Sequence, residues 1–515
     1  MNARTLRLAG SLLAITALAG CAVGPDYDGP PEVASAATTR GHFARASDPA
    51  FAAAPGLARW WESLDDPLLT ALVDEALAGS PTIEAAEARI REARGKLAEG
   101  KSGLYPSISP NALYVHAVLP GSGIGGSSSE SSDSGGESGS SGGSSALDFY
   151  NIGANASWEP DLFGAKRRGI EASQATLGQR EAELADAQVS LSAQVAQSYV
   201  NLRDVQERLR LNRASIALQR RSLELTRQRL AAGTASQLEV ERLQGELAST
   251  EAQAVPLDAQ EAIYKDALAV LTGRVPGELD ARLEAGASEG SGKGVPVPLP
   301  PASVPIGDPA MLIAHRPDVR AAERGLAAGT AGIGSAEAQR MPGISFMGIL
   351  GLGGTSPGDV LDPDNLAALL MPQISWPLLD FGKGRSVVDQ AEARRDAAAA
   401  QYRQSVLEAL QDAEDSLARF GATRRQLAGL VASQRSADEA SRLNRQRFQA
   451  GTSSLIDQLD IERQALSAAT SVAQAKAQLT IDYIAVNKAL GLGWSDPGAG
   501  SAQAGVARQE RKAGG

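Results

Sequence analysis

LTRQRLAAGTAS at residues 225–236 and LNRQRFQAGTSS at residues 443–454 are one stretch written twice, 218 positions apart. Leu225, Arg227, Gln228, Arg229, Ala232, Gly233, Thr234 and Ser236 recur as Leu443, Arg445, Gln446, Arg447, Ala450, Gly451, Thr452 and Ser454. Trp158, Phe163 and Gly164 recur at the same offset as Trp376, Phe381 and Gly382. Further upstream, Pro81 and Pro106 match Pro317 and Pro342 at an offset of 236. The difference of 18 residues falls between Pro106 and Trp158, where the run GSGIGGSSSESSDSGGESGSSGGSS occupies 121–145. One structural unit has been duplicated, and a Gly/Ser loop has grown out of the first copy.

The sequence around each Gly-Thr pair reads as helix. No proline interrupts Asp161–Val255 or Leu378–Asp496. Val195, Leu202, Leu209, Ile216, Leu223 and Leu230 are each seven apart, and Leu177, Leu184 and Leu191 form a second row. A sustained seven-residue repeat predicts a coiled-coil seam. A helical stretch of ~70 residues would reach roughly 100 Å. The second copy is looser, with Leu410, Leu417, Phe420 and Leu427. Gly233 and Gly451 suit the left-handed position that ends a helix, and Ser236 and Ser454 suit the cap of the next. Each pair predicts a tight turn between antiparallel helices, with periodicity resuming over Leu238–Leu271 and Ile456–Leu490. Pro256 is expected to kink the first return helix.

Strand signals precede each long helix. Tyr150, Ile152, Ala154, Ala156 and Trp158 alternate with polar or small residues, as do Ile374, Trp376 and Leu378. Weaker signals cover Ser107–Val118 and Ile344–Leu352. Strands of ~9–11 residues with period two suit a membrane barrel. Four strands cannot close a barrel, and an open edge in lipid leaves backbone groups unsatisfied. Several chains must therefore share one.

Composition narrows the function. Aromatics are only 4 % and the net charge is −11, with no basic run, which argues against nucleic acid as a partner. Arg4 and Arg7 precede an apolar run, Leu8–Ala19, too short to span a bilayer. This signal peptide ends Leu18-Ala19-Gly20-Cys21, and Cys21 is the only cysteine. His42, His116 and His315 lack a second ligand at metal spacing. Neither a phosphate loop nor a nucleophile elbow is present.

The ending at Cys21 resembles a bacterial lipobox. The order lipobox, helix, strand pair, coiled coil, then the same again, resembles the TolC-like outer-membrane factors, in particular the lipoprotein branch of multidrug-efflux channels. The marks are CAVGPDY at 21–27, WEPDLFG at 158–164, HRPDVRAAE at 315–323 and KALGLGW at 488–494. The resemblance implies a covalent lipid on Cys21 and no other cofactor. It implies a mostly α fold with a membrane β portion, in which a homotrimer shares a twelve-stranded barrel and a periplasmic α-barrel. It also implies passive export of solutes brought by an inner-membrane RND-type pump and a periplasmic adaptor (membrane fusion protein), without enzymatic activity. The segments expected are a signal peptide 1–20, a lipidated extended segment 21–65, a first repeat 66–272, a connector 273–308, a second repeat 309–494 and a disordered tail 495–515.

Asp457 and Asp460 lie three apart, on one helix face. The resemblance implies that they narrow the periplasmic end in rings, and Glu239 stands where the first copy matches Asp457. Acidic residues in a first turn also favour the helix dipole, and Ser454 with Asp457 suits a capping box; the two roles are compatible. Some relatives carry a basic residue after the Gly-Thr pair, where this chain has Ser453 and Ser454. Arg445 and Arg447, a turn or two earlier, read chiefly as solvated charges, or else as substitutes for it. The same architecture serves type I protein secretion, and a trimeric coiled-coil lipoprotein or adhesin is the alternative from another class.

Overall fold

The protein is seen in a computed structural model that describes residues 22–119, 145–288 and 296–494. Cys21, the signal peptide, residues 121–144 of the Gly/Ser run and the tail lie outside these residues.

The duplication is visible in the element bounds. In chain order the elements are α1 (Ser35–Arg40), β1 (Phe51–Ala52), a short 3-10 helix (Trp60–Leu64), α2 (Pro67–Gly79), α3 (Pro81–Ser102), β2 (Ser107–Leu119), β3 (Ser145–Trp158), α4 (Ala165–Ala231) and α5 (Gln237–Leu271). There follow α6 (Asp280–Ser288), β4 (Val304–Pro305), α7 (Pro309–His315), α8 (Pro317–Ala338), β5 (Gly343–Gly354), β6 (Leu366–Ser375), α9 (Lys383–Gln449) and α10 (Leu455–Ala489). Helices α3 and α8 each have 22 residues, α4 and α9 each 67, and α5 and α10 each 35. The chain divides into two compact units, and each draws on both copies.

One unit, Met1–Gly29, Ala93–Thr176 and Leu326–Ala397, holds the antiparallel sheet β2-β3-β5-β6. Its registers pair even-numbered residues with even-numbered residues throughout, so they share a face. Over most of the sheet that face is apolar, with Ile108, Ile152, Leu350, Leu352, Leu370 and Ile374. Trp158 stacks on Phe346 at one end and Tyr114 on Tyr150 at the other, at 5.9 and 4.9 Å. About 27 Å of strand separates Trp158 from Tyr150 at ~3.4 Å per residue. With barrel tilt, this is near the height of an aromatic-bounded apolar band. The opposite face carries Ser107, Ser109, Asn155, Ser157 and Gln373 near the Trp158 end.

At the base of β3 the N-terminal strap is fastened. Val23 N donates to Phe163 O at 3.2 Å, and the buried Arg168 donates to Val23 O, Gly24 O and Asp26. A Cβ on Gly334 would lie 2.7 Å from Val23 O, so only glycine allows the strap this close. Among the described residues nothing covers the equivalent place in the second copy, where Phe381 is fully exposed at a φ of 50°.

The other unit, Pro30–Glu92, Leu177–Gly325 and Ala398–Gly515, holds the main core. Trp60, Trp61, Tyr199, Leu202, Phe420 and Tyr483 are almost wholly buried. Trp60 meets Trp61 edge-on at 5.7 Å and Tyr483 at 6.1 Å. The predicted seam faces inward: Val195, Leu202, Leu209 and Leu223 are buried. Beside it runs a polar ladder of the same period. Gln206 donates to Glu261, Arg213 to Asp258, Arg220 to Glu251 and Arg227 to Gln244, at 2.7–3.4 Å. Two sequence marks also meet here. Arg316 Nη1 donates to Ala489 O at 2.9 Å, and the Arg320 guanidinium lies 5.4 Å from the Trp494 ring centre.

Helix α5 continues across Pro256. Two expectations change. Strand β6 ends at Ser375, so Trp376 and Leu378 are not in it. Pro377 lacks an N–H and restricts Trp376, while the true strand, LAALLMPQIS, is too apolar to alternate. The segment 22–61 is not simply extended: it contains α1, β1 pairs in parallel with β4, and Trp60 and Trp61 enter the core.

Replacing Leu202 with Ala is expected to destabilise this unit by about 2–5 kcal/mol. Replacing Leu238, which is 79 % exposed, should change it by about 0.5 kcal/mol or less. Denaturant unfolding followed by circular dichroism separates the two.

Candidate gate at the helical turns

Both Gly-Thr turns have the same backbone. Gly233 and Gly451 sit at a φ of 72°, the left-handed region that glycine enters without strain. Thr234 N donates to Arg229 O, and Thr452 N to Arg447 O, both at 2.8 Å. Gly233 N donates to Leu230 O and Gly451 N to Phe448 O, which completes the Schellman pattern. Each threonine hydroxyl donates to the same arginine carbonyl at 3.1 Å. The invariance of Gly-Thr between the copies thus has a local cause.

The next helices open with capping boxes. Glu239 N donates to Ser236 Oγ at 3.2 Å, and Ser236 N to Glu239 Oε2 at 3.0 Å. Asp457 N donates to Ser454 Oγ at 3.1 Å, and Ser454 N to Asp457 Oδ2 at 3.4 Å. Within one chain the predicted acidic residues divide: Glu239 and Asp460 border one cleft, and Asp457 is not among its walls. Asp457 is exposed at its cap. Asp460 lines a cleft of about 360 Å³ between the two hairpin ends, with Glu239, Arg242, Leu238, Leu455, Ile456 and Leu459 among its walls.

Three features were missed in the sequence. Arg463 donates to Asp460 at 2.9 Å and lies 3.5 Å from Glu246 of the first hairpin. Asp460 beside it holds the guanidinium above its usual range. The (i, i+3) spacing of Asp460 and Arg463 was readable; the Glu246 contact needed the fold. Secondly, the second hairpin encloses a polar chain. Ser453 Oγ donates to Asn444 Oδ1, Asn444 Nδ2 to Gln458 Oε1, and Gln458 Nε2 to Glu462 Oε1, at 2.6–2.8 Å. Thr226, Ala235, Val240 and Gln244 stand there in the first hairpin. Thirdly, Arg445 is no free solvated charge: it binds Glu462, which is 9 % exposed, at 2.9 Å. Arg447 reaches Thr452 O at 3.5 Å.

The second hairpin also has a cleft of about 320 Å³ along it, bordered by Leu430, Ser433, Ser467, Ala468 and Ser471. The first hairpin has its ladder along much of the corresponding length. Among the described residues, no three His, Cys, Asp or Glu side chains form a metal cluster, and no helix is long and apolar enough to cross a membrane.

A duplicated strand–helix unit, with a barrel-like sheet and long hairpins, defines a class of channel-forming proteins. The description "outer membrane efflux protein" matches residues 72–274 and 309–492, and the chain belongs to that family. Its place is the outer membrane of a Gram-negative cell, reaching into the periplasm, and it works there as an efflux channel. Nodulation protein T of Rhizobium leguminosarum bv. trifolii is 28 % identical over 93 % of this chain and 96 % of its own. Outer membrane protein OprJ of Pseudomonas aeruginosa is 28 % identical over 94 % and 95 %. The outer-membrane channel OprN superposes with a TM-score of 0.79 at 32 % identity, over 92 % of this chain and 100 % of that one. The open state of the Neisseria gonorrhoeae channel MtrE gives 0.75 at 26 % identity, over 92 % and 98 %.

Ser236→Ala and Ser454→Ala each remove a cap that contributes ~1 kcal/mol to its helix end. Amide hydrogen exchange at Glu239 and Asp457 should quicken in the respective variant, while exchange in the Leu202 region stays unchanged.

Proposed function

We propose that the chain is the outer-membrane conduit of a three-part efflux system, closed at rest by its helical turns. Three copies share one barrel, and an RND-type inner-membrane pump delivers solute through a periplasmic adaptor. Lipid on Cys21 adds an anchor, and the chain itself performs no chemistry. The observation that carries this reading is the four-stranded sheet, with an apolar face and both edges unpaired among the described residues. Such a sheet is stable in lipid only when other chains complete it.

The gate follows from the turns. Three copies of Asp457 and Asp460 narrow the pore and favour cations by charge. Arg463 clasps Asp460 to Glu246, and so holds the second hairpin to the first. The second hairpin is the one that yields. Its clasp is exposed, whereas the first hairpin is laced along its length.

In planar bilayers, the double variant Asp457→Ala/Asp460→Ala should raise resting conductance and lose cation preference. Conductance and selectivity equal to the parent protein would remove these residues from the gate. In intact cells, cross-linking through the hairpin turns should capture an adaptor together with an RND-type pump. Capture of an ABC exporter would move the assignment to type I protein secretion.

A further inference from the structure

The cleft between the two hairpin ends has a composition that neither the turns nor the clasp explains. Its volume, about 360 Å³, lies within the ~300–1,000 Å³ of small-molecule sites. Leu243 of the first hairpin and Leu455, Ile456 and Leu459 of the second give it apolar walls. The acidic groups on those walls are already engaged. Glu239 accepts from Ser236 N at 3.0 Å in its capping box. Asp460 accepts from Arg463 at 2.9 Å, and Glu246 lies 3.5 Å from the same guanidinium.

The cations on the walls are not. Arg229 reaches a backbone oxygen, Thr234 O, at 3.4 Å. Arg242 has no hydrogen bond or ion pair among the described residues. It stands where the second copy has Asp460, and both residues border the cleft, yet Asp460 pairs with Arg463 instead. Backbone donors are left over as well. A capping box satisfies the N–H of the cap and of the third helical residue, and leaves those of the first two. In α5 these are Gln237 and Leu238, and in α10 they are Leu455 and Ile456. Leu238, Leu455 and Ile456 are all residues of the cleft wall. Two helix N-termini, each the positive end of its helix, therefore border one cavity beside an unpaired arginine.

We propose that this cleft binds an amphipathic organic anion, a carboxylate or sulfonate carried on an apolar body. Arg242 takes the acid group, and the aliphatic walls take the body. An organic cation finds each wall carboxylate engaged and meets Arg242 unscreened. The cleft has walls from both hairpins, so an occupant touches both and favours the spacing of the hairpin ends seen here. The site belongs to a single chain and does not depend on the number of copies in the channel.

The probe is dansylglycine, a carboxylate on an aromatic body, and its methyl ester is the uncharged control. Full-length protein in lipid nanodiscs is titrated by fluorescence, and empty nanodiscs correct for uptake by lipid. Arg242 has no partner within the described chain to lose, so Arg242→Gln should fold as the parent does. Arg242→Asp introduces the residue type that the second copy carries at this place. The expected result is saturable binding of the acid to the parent protein. Binding should weaken roughly ten- to a hundredfold in Arg242→Gln, as the loss of one charge-assisted hydrogen bond implies, and further in Arg242→Asp. The ester should bind the parent and Arg242→Gln alike. Amide exchange at Leu238 and Ile456 should slow when the acid binds the parent protein. No saturable binding up to ~1 mM would overturn the proposal. So would equal affinity of the acid for the parent and both variants, or protection that falls outside the two hairpin ends.

Discussion

A backbone N–H or C=O that faces lipid unpaired costs several kcal/mol, and lipid supplies no partner for it. This constraint organises the protein. Among the described residues the sheet has four strands and leaves its two outer edges unpaired. Such a sheet calls for further strands to complete it in lipid. The duplication is visible inside it: the two strand hairpins, one from each copy, meet at β3–β5. The apolar even-numbered face and the stacked pairs at its two ends are consistent with a sheet made to sit in a membrane.

At the turns a different economy operates. Helix ends leave several N–H and C=O groups without partners, and a sharp reversal must satisfy them locally. Glycine, threonine and serine do so in the same way in both copies. The acidic residue at the third helical position closes the capping box. Asp457 and Glu239 are therefore committed to their helices first, whatever else they do. What distinguishes the copies lies beside the turn: Val240 against Gln458, Gln244 against Glu462 and Ala235 against Ser453. With Asn444 against Thr226, these replacements build a buried chain of hydrogen bonds that the first hairpin lacks among the described residues.

The long elements were legible because their signals are regular. The offsets of 218 and 236 located matching helices to the residue, and the seven-residue rows named the buried seam. The strands were half legible. Period-two alternation marked β3, but β6 is apolar on both faces and its end was misplaced by the lure of Trp376 and Leu378. The N-terminal segment was the weakest reading. Its tryptophans are buried by residues more than a hundred places away, such as Tyr483, and nothing local announces that.

The sequence by itself determined the duplication, the helix lengths, the turn chemistry and the alternation that makes a strand suited to a membrane. Each depends on neighbours a few residues apart, so pattern suffices. Tertiary structure alone decided which charges meet. Arg463 found Glu246, Arg316 found Ala489, and Arg168 found the strap at Val23 and Gly24. Those pairings depend on how helices from distant parts of the chain lie side by side. A long, flexible cationic side chain leaves no periodic trace of the partner it will reach.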